Sequence, residues 1–168
     1  MRHWLMKSEP DVFGIAHLQA RGEAPWDGVR NYQARNNLRA MAVGDAVVFH
    51  HSSAHPVGLA GLARVVRSAY PDPTAIDPRS SGFDRKSKRD APRWDAVDVA
   101  FVEAFPRVIT MDELRAVRAL AHMVLLHNTR LSVQPMTAAE YAIVAALGRG
   151  QAALGGATRG SRARRAAR

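Results

Sequence analysis

The chain has 168 residues and contains no cysteine, so disulfide bonds and thiolate metal sites are excluded. No run approaches the roughly 20 apolar residues that a membrane-spanning helix needs, and the N-terminus lacks the pattern of a secretory signal. We therefore expect a cytoplasmic protein with no membrane contact. We also expect no cofactor.

Acidic residues are absent from the segment 149–168, which contains six arginines. The segment therefore carries six of the nine net positive charges, and its Gly, Ala and Arg composition shows no apolar period. We predict one domain over residues 1–148, followed by a disordered basic tail over 149–168. Such a tail adds affinity for nucleic-acid phosphates without discriminating between bases.

Apolar patterning predicts short strands and helices in an irregular order. The predicted strands cover residues 3–7, 46–50, 57–69, 94–105 and 131–135. The predicted helices cover residues 12–21, 31–41, 110–117 and 137–148, and a polar loop covers 71–92. Since regular crossover helices do not alternate with the strands, we predict an α+β fold with a mixed curved sheet or open β-barrel surrounded by short helices. Within it, Gly58 and Gly61 indicate a bulge or a close backbone approach.

The segment 26–32 (WDGVRNY) combines a flat aromatic ring, a turn, a cation and an amide. This is the chemistry that holds a planar polar heterocycle such as a nucleobase, since stacking on an aromatic side chain contributes about 1–3 kcal/mol per base. The same residues are also typical of a core Trp26 followed by Asn31 as a helix cap. The segment alone leaves both interpretations open.

Three histidines, His50, His51 and His55, lie close together in the sequence. Adjacent strand residues point to opposite faces, and no nearby carboxylate or thiolate completes a site, so we expect no bound metal. His51 and Ser52 also permit a hydrolase hypothesis, although no serine lies in a nucleophile-elbow sequence. The basic run 86–89 (KSKR) is interpreted either as a solvated loop or as a phosphate contact.

Several motifs resemble those of EVE domains. The segment 4–10 (WLMKSEP) looks like their opening signature, and 26–36 (WDGVRNYQARN) is similar to their central motif. Further matches follow in order: VGD at 43–45, FHHS at 49–52, GLAG at 58–61, AYPD at 69–72, PRW at 92–94 and RLSVQP at 130–135. The resemblance covers about residues 1–148. It implies a PUA-like fold related to YTH domains, and a reader of modified cytosine in DNA or of modified RNA.

The resemblance also implies a base-binding pocket at the positions that match the motifs. These are Lys7, Ser8, Glu9, Trp26, Asn31, His51, Ser52, Leu131, Ser132 and Gln134. The expected phosphate contacts are Arg30, Lys86, Lys88, Arg89 and Arg130. The family often has Tyr where this chain has His50, a difference that would alter the pocket wall.

The residue chemistry agrees with that implication. Trp26 would stack on the extruded base, Asn31 would read its edge, and Glu9 would accept from an exocyclic amine. We therefore expect a monomeric, non-catalytic reader of modified bases in nucleic acid, in which Trp26→Ala weakens binding and leaves the fold intact. The alternatives are a hydrolase or base-processing enzyme that uses His51 and Ser52, and a sensor of free modified nucleosides.

Overall fold

A six-stranded mixed sheet forms the centre of the computed structural model, which describes residues 1–151. The strands are His3–Ser8 (β1), Glu23–Trp26 (β2), Ala46–His51 (β3), Gly58–Pro71 (β4), Asp95–Thr110 (β5) and Val133–Met136 (β6). Their order in the sheet is β2-β5-β4-β3-β1-β6. Only β1 and β3 pair in parallel, and the other neighbours are antiparallel.

The parallel pair brings the ends of β1 and β3 together. Ser8 lies opposite His51, and Lys7 lies opposite His50. Alternate strand residues point to opposite faces. Ser8 and His51 therefore lie on one face of the sheet, and Lys7 and His50 lie on the other.

Within residues 1–151, six short α-helices surround the sheet. They are Pro10–Phe13 (α1), Ile15–Arg21 (α2), Tyr32–Ala40 (α3), Met111–Ala116 (α4), Val124–His127 (α5) and Ala138–Gly148 (α6). The predicted caps are present: the Asn31 side chain accepts from the Ala34 amide at the start of α3, and Thr110 and Thr137 form capping boxes at α4 and α6. These side chains satisfy amides that have no partner inside the helix.

Two hydrophobic clusters lie on the two faces of the sheet. The first contains Trp4, Trp26 and Phe49 and is covered by α2 and α3. The second contains Leu5 and Val48 and is covered by α4, α5 and α6. Neighbouring strand residues, such as Trp4 and Leu5, therefore belong to different clusters, as the alternation of side chains in a strand requires.

The strand β2 was not predicted. It has only four residues and includes Pro25, which cannot donate to a sheet. Pro25 is tolerated because β2 is an edge strand and pairs with β5 on one side only. The predicted helix over 12–21 is also divided, since Gly14 takes an extended conformation between α1 and α2.

The prediction for the two β4 glycines is confirmed. A Cβ on Gly58 would collide with the Ile109 carbonyl, and a Cβ on Gly61 would collide with the Glu103 carbonyl. The pairing register also shifts between Leu59 and Gly61. Both glycines therefore allow β4 and β5 to approach closely while the long strands curve.

The first residue of the predicted tail contacts the domain. Arg149 forms the C-cap of α6, and its guanidinium lies 2.7 Å from the Glu103 carboxylate. The rest of the predicted tail, from residue 152 onward, lies outside the described residues. Within residues 1–151, no helix has the length and apolar character that crossing a membrane demands.

Candidate functional site

A cavity of about 390 Å³ opens beside the ends of β1 and β2. This volume falls within the usual range for small-molecule pockets. Its lining residues are Lys7, Ser8, Val12, Phe13, Arg21, Pro25, Trp26, Asp27, Gly28, Val29, Arg30 and Ser132. Four of the ten predicted pocket residues are thus brought together here: Lys7, Ser8, Trp26 and Ser132.

Trp26 forms an aromatic wall of the cavity and also belongs to the core. Its ring meets Phe49 edge-on at a centroid distance of 5.2 Å, and it meets Phe13 edge-on at 6.2 Å. Only 6% of its surface is exposed. Trp26 therefore packs in the core, as one interpretation of the 26–32 segment predicts, and it also lines the cavity; its contact with a base stays a prediction.

The loop after Trp26 is fixed by the buried carboxylate of Asp72. Gly28, which has a φ of 73°, donates its amide to Asp72 over 2.9 Å. Arg30 contacts the same carboxylate at 2.7 Å, and both the amide and the hydroxyl of Thr74 also donate to it. A residue 44 positions away in the sequence therefore sets the shape of this cavity wall.

These donors control the ionisation of Asp72. Burial raises its pKa, but the hydrogen bonds from Arg30, Thr74 and Gly28 outweigh this effect and hold the pKa below its usual value. Hydrogen bonding to the charged form of a carboxylate is the physical cause. Asp72 is consequently a fixed anion that neutralises Arg30.

Lys7 and the two serines are polar residues of the cavity lining, and Lys7 also lines a separate cavity that includes Thr129. The Lys7 ammonium donates to the Thr129 carbonyl at 2.7 Å, and the Lys7 amide donates to the Ser132 carbonyl at 2.9 Å. These bonds join the end of β1 to the loop before β6. Partial burial lowers the pKa of Lys7.

Asp27 supplies the carboxylate that lines the cavity. Burial, followed by repulsion from Asp72, raises the pKa of Asp27, and Arg30 only partly offsets these effects. The sequence predicts Asp27 as a turn residue and Glu9 as the carboxylate that contacts the base. Its position directly after Trp26 is the signal that could have identified it.

Asp27→Asn should slightly increase stability at neutral pH. The pKa of Asp27 is raised on folding, so the ionised form is disfavoured in the folded protein. Stability therefore falls as pH rises from about 3.9, the pKa of an unperturbed Asp, to the higher pKa of Asp27 in the folded protein. After solvent screening, we expect a gain below about 1 kcal/mol. Thermal melts at several pH values would measure it.

The stability that Asp27→Asn gains at neutral pH should disappear as pH falls below about 3.9, where Asp27 is protonated in both the folded and the unfolded state. Asp90→Asn, in the exposed part of the loop, is the matched control. A variant that is less stable than the parent at pH 7 would contradict the sign of the effect.

His51 supports the cavity wall without lining it. Its Nε2 accepts from the Ile15 amide at 3.1 Å, at the start of α2. Partial burial lowers the pKa of His51. Ser52 instead lines a separate cavity of about 190 Å³ with His50 and Lys7. The predicted pair of His51 and Ser52 therefore faces two different environments, which reflects strand alternation.

Four other predicted pocket residues also lie outside the cavity lining. Glu9 is exposed and accepts from the Ser53 hydroxyl at 3.4 Å, and Asn31 uses its side-chain oxygen to cap α3. Leu131 is buried in the first hydrophobic cluster. Gln134 is 1% exposed and donates to the carbonyls of Asn128 and Leu131. Local hydrogen bonding and core packing account for these positions, and motif membership alone did not reveal them.

The expected phosphate contacts fall into two groups. Arg30 is committed to the fold, because its guanidinium donates to Asp72, Thr74 and the carbonyls of Val29 and Gly82. The other four are exposed, and their contact with phosphate stays a prediction; they are Lys86, Lys88, Arg89 and Arg130.

Phe13 and Arg21 also line the cavity, although the sequence does not predict them there. The Arg21 guanidinium lies over the Phe13 ring, 5.4 Å from its centroid. The two residues come from α1 and α2, whose division at Gly14 was not predicted. An intact helix over 12–21 would give a different relative orientation, so the sequence pattern gave no signal for this contact.

Comparison with known proteins identifies relatives across almost the whole described chain. The EVE domain family model matches residues 2–147. Human thymocyte nuclear protein 1 is 42% identical in an alignment 164 residues long that covers 86% of this chain and 73% of that protein.

The solved structures of similar fold include two complexes with nucleic acid. The crystal structure of the human THYN1 protein in complex with 5-methylcytosine-containing DNA is 42% identical, has a TM-score of 0.84 and covers 88% of this chain and 98% of its own. The YTH domain of the Zygosaccharomyces rouxii MRB1 protein, in complex with N6-methyladenosine RNA, has a TM-score of 0.53 at 15% identity, covering 88% of this chain and 84% of its own. At that identity the likeness concerns the fold alone. The predicted PUA-like α+β fold is confirmed.

The expected cytoplasmic location is wrong. It rested on composition and on the lack of a secretory pattern, and neither distinguishes the cytoplasm from the nucleus. The relatives from human and mouse are both called thymocyte nuclear protein 1.

Proposed function

Since this chain belongs to the EVE domain family, we propose that it is a non-catalytic reader that takes a modified nucleobase of DNA or RNA into the cavity beside Trp26. The observation that carries the proposal is the pairing of an aromatic wall with an adjacent carboxylate, Asp27, in a cavity of about 390 Å³. The complex of the human THYN1 protein with 5-methylcytosine-containing DNA supports this assignment.

The cavity chemistry fits an extruded cytosine. Removing a base from the stack costs a few kcal/mol, and contact with the Trp26 and Phe13 rings offsets part of that cost. The Asp27 carboxylate can accept from the exocyclic amine of cytosine. The hydroxyls of Ser8 and Ser132 supply further donors and acceptors.

The proposal of a reader without catalytic activity is supported by the position of His51. The Nε2 of His51 already accepts from the Ile15 amide, so this nitrogen has no free lone pair with which to deprotonate Ser52. Incubation with modified oligonucleotides, followed by mass spectrometry, tests this point. Product that forms with the parent and is lost in His51→Ala would overturn it.

Filling the cavity should abolish recognition of the modified base. Ser132 lines the cavity and is not part of the hydrophobic clusters, so Ser132→Phe adds a ring inside it. We expect at least a tenfold loss of affinity for a 5-methylcytosine oligonucleotide, equal to about 1.4 kcal/mol. Fluorescence anisotropy measures this loss, with a plain cytosine oligonucleotide in parallel.

Ser68→Phe is the matched control, because Ser68 is exposed on β4 and lies outside the cavity lining. This control should retain the parental affinity and the parental preference for 5-methylcytosine. If a folded Ser132→Phe protein keeps both quantities, the cavity is not where the base binds.

A further inference from the structure

An exposed aromatic surface lies next to the base cavity and has no role in the proposed function. It consists of Tyr32, the ring of Trp94 beneath it, and the guanidinium groups of Arg35 and Arg93 beside them; we call it the Tyr32 platform. Tyr32 is 48% exposed, which is unusual for an aromatic side chain at the start of a helix that packs on the core.

The arginines lie at the edges of this stack. The Tyr32 and Trp94 rings are nearly parallel, with centroids 4.9 Å apart. The Arg35 Cζ is 4.8 Å from the Tyr32 centroid and 6.0 Å from that of Trp94. A cation on the far face of Tyr32 would be about twice as far from Trp94 as from Tyr32. Arg93, at 5.8 Å and 6.0 Å, is also beside the stack. Neither guanidinium therefore covers the outer face of Tyr32.

The platform is positively charged. Arg93 pairs with Asp84 at 3.3 Å. Arg35, however, donates to the Asn36 amide oxygen and the Arg93 carbonyl, and no carboxylate among residues 1–151 pairs with it. The exposed cations Lys86, Lys88 and Arg89 lie in the loop that ends at Arg93.

Arg30 connects the platform to the base cavity. This residue lines the cavity, and its Cζ lies 5.7 Å from the Trp94 ring centroid. Because Trp94 contacts both Arg30 and Tyr32, the platform begins one side chain away from the cavity wall. A nucleic-acid strand with one base in the cavity can therefore place its neighbouring nucleotide here.

We propose that the outer face of Tyr32 stacks the base adjacent to the one held in the cavity, with Arg35 supplying positive charge for the intervening backbone. This inference rests on the proposed function, because it needs one base to occupy the cavity. The platform adds affinity for a strand and is tolerant of sequence, since every base has a π-face. A free nucleoside has no neighbouring base, so the platform should strengthen binding of an oligonucleotide only.

The test removes either the neighbouring base or the ring. Two oligonucleotides carry the same central 5-methylcytosine, one with ordinary neighbours and one with abasic sites on both sides. The parent should bind the abasic oligonucleotide about tenfold more weakly, a factor typical of one lost stacking contact. Tyr32→Ala should bind the two oligonucleotides equally, at the weaker level. Tyr32→Phe keeps the ring and loses only the hydroxyl that accepts from Arg93, so it should retain the preference for ordinary neighbours.

Tyr32→Leu is a second variant, which retains apolar bulk against Trp94 but has no π-face. It should lose the preference for ordinary neighbours as Tyr32→Ala does, and thermal melts confirm that each variant is folded. The inference is overturned if the parent binds the ordinary and the abasic oligonucleotide equally. It is also overturned if a folded Tyr32→Ala protein keeps the preference for ordinary neighbours, including the case in which its affinity for both oligonucleotides falls by the same factor. A parent protein that binds 5-methylcytosine and cytosine oligonucleotides with equal affinity is a different result, and it would refute the proposed function.

Discussion

Asp72→Ala should lower the free energy of unfolding by about 3–5 kcal/mol, the usual result of removing one partner from a buried ion pair. The Asp72 side chain has no exposed surface, whereas Arg30 remains three-quarters buried beside it. The substitution leaves the Arg30 cation without its partner, and the Gly28 amide without an acceptor. Chemical denaturation at pH 7 would measure the loss.

The pH dependence gives an independent check on Asp72. Its pKa is depressed on folding, so its contribution to stability is complete above about 3.9 and is lost as pH falls through the lower folded pKa. The difference between parent and Asp72→Ala should therefore shrink in acid. Asp77→Ala is the control, because Asp77 pairs only with the exposed Arg79 and such pairs contribute little. Equal losses in the two variants would contradict the role given to Asp72.

Trp26→Ala should have two large effects, one on stability and one on binding. Trp26 is 6% exposed and packs edge-on against Phe49, so its removal should cost about 3–5 kcal/mol of stability. Affinity for a modified oligonucleotide should also fall, by about 1–3 kcal/mol, through loss of the aromatic wall. Denaturation and anisotropy measure the two effects separately. The sequence-based expectation of an undisturbed fold is therefore revised, because the indole belongs to the core as well as to the cavity.

Trp26→Phe separates the two roles. A phenyl ring preserves much of the core packing and keeps an aromatic face toward the cavity, so both losses should be smaller than in Trp26→Ala. Binding by Trp26→Ala that equals the parent, under conditions where the variant is folded, would exclude a stacking role for Trp26. The proposed function would then depend on Phe13 and on the polar wall.

Much of the fold was predictable from local sequence. Thr110 and Thr137 each begin a helix three residues before a glutamate, and these boxes form as predicted. Capping depends on residues one turn apart, so it can be identified in a short window. The strand β2 could not be predicted in this way, because its four residues are held by pairing with β5, more than 70 positions later.

The candidate site was predictable only in part, because it too is formed by segments that are distant in the sequence. Trp26, Lys7, Ser8 and Ser132 were identified because they belong to motifs that resemble those of EVE domains. The motifs did not indicate which way each side chain points. Gln134, for example, is in the last motif and yet is buried, and its amide donates to the carbonyls of Asn128 and Leu131.

The sequence by itself determined the composition of this protein, most of its helices and strands, and the family to which its motifs point. Only the tertiary structure decided that Asp27, and not Glu9, lines the cavity, and that Asp72 commits Arg30 to the fold. It also decided that Tyr32 exposes a face beside that cavity. Patterns within a strand or helix follow from backbone periodicity, whereas the cavity forms where segments distant in the sequence meet, and their contacts depend on packing and buried hydrogen bonds that no local pattern encodes.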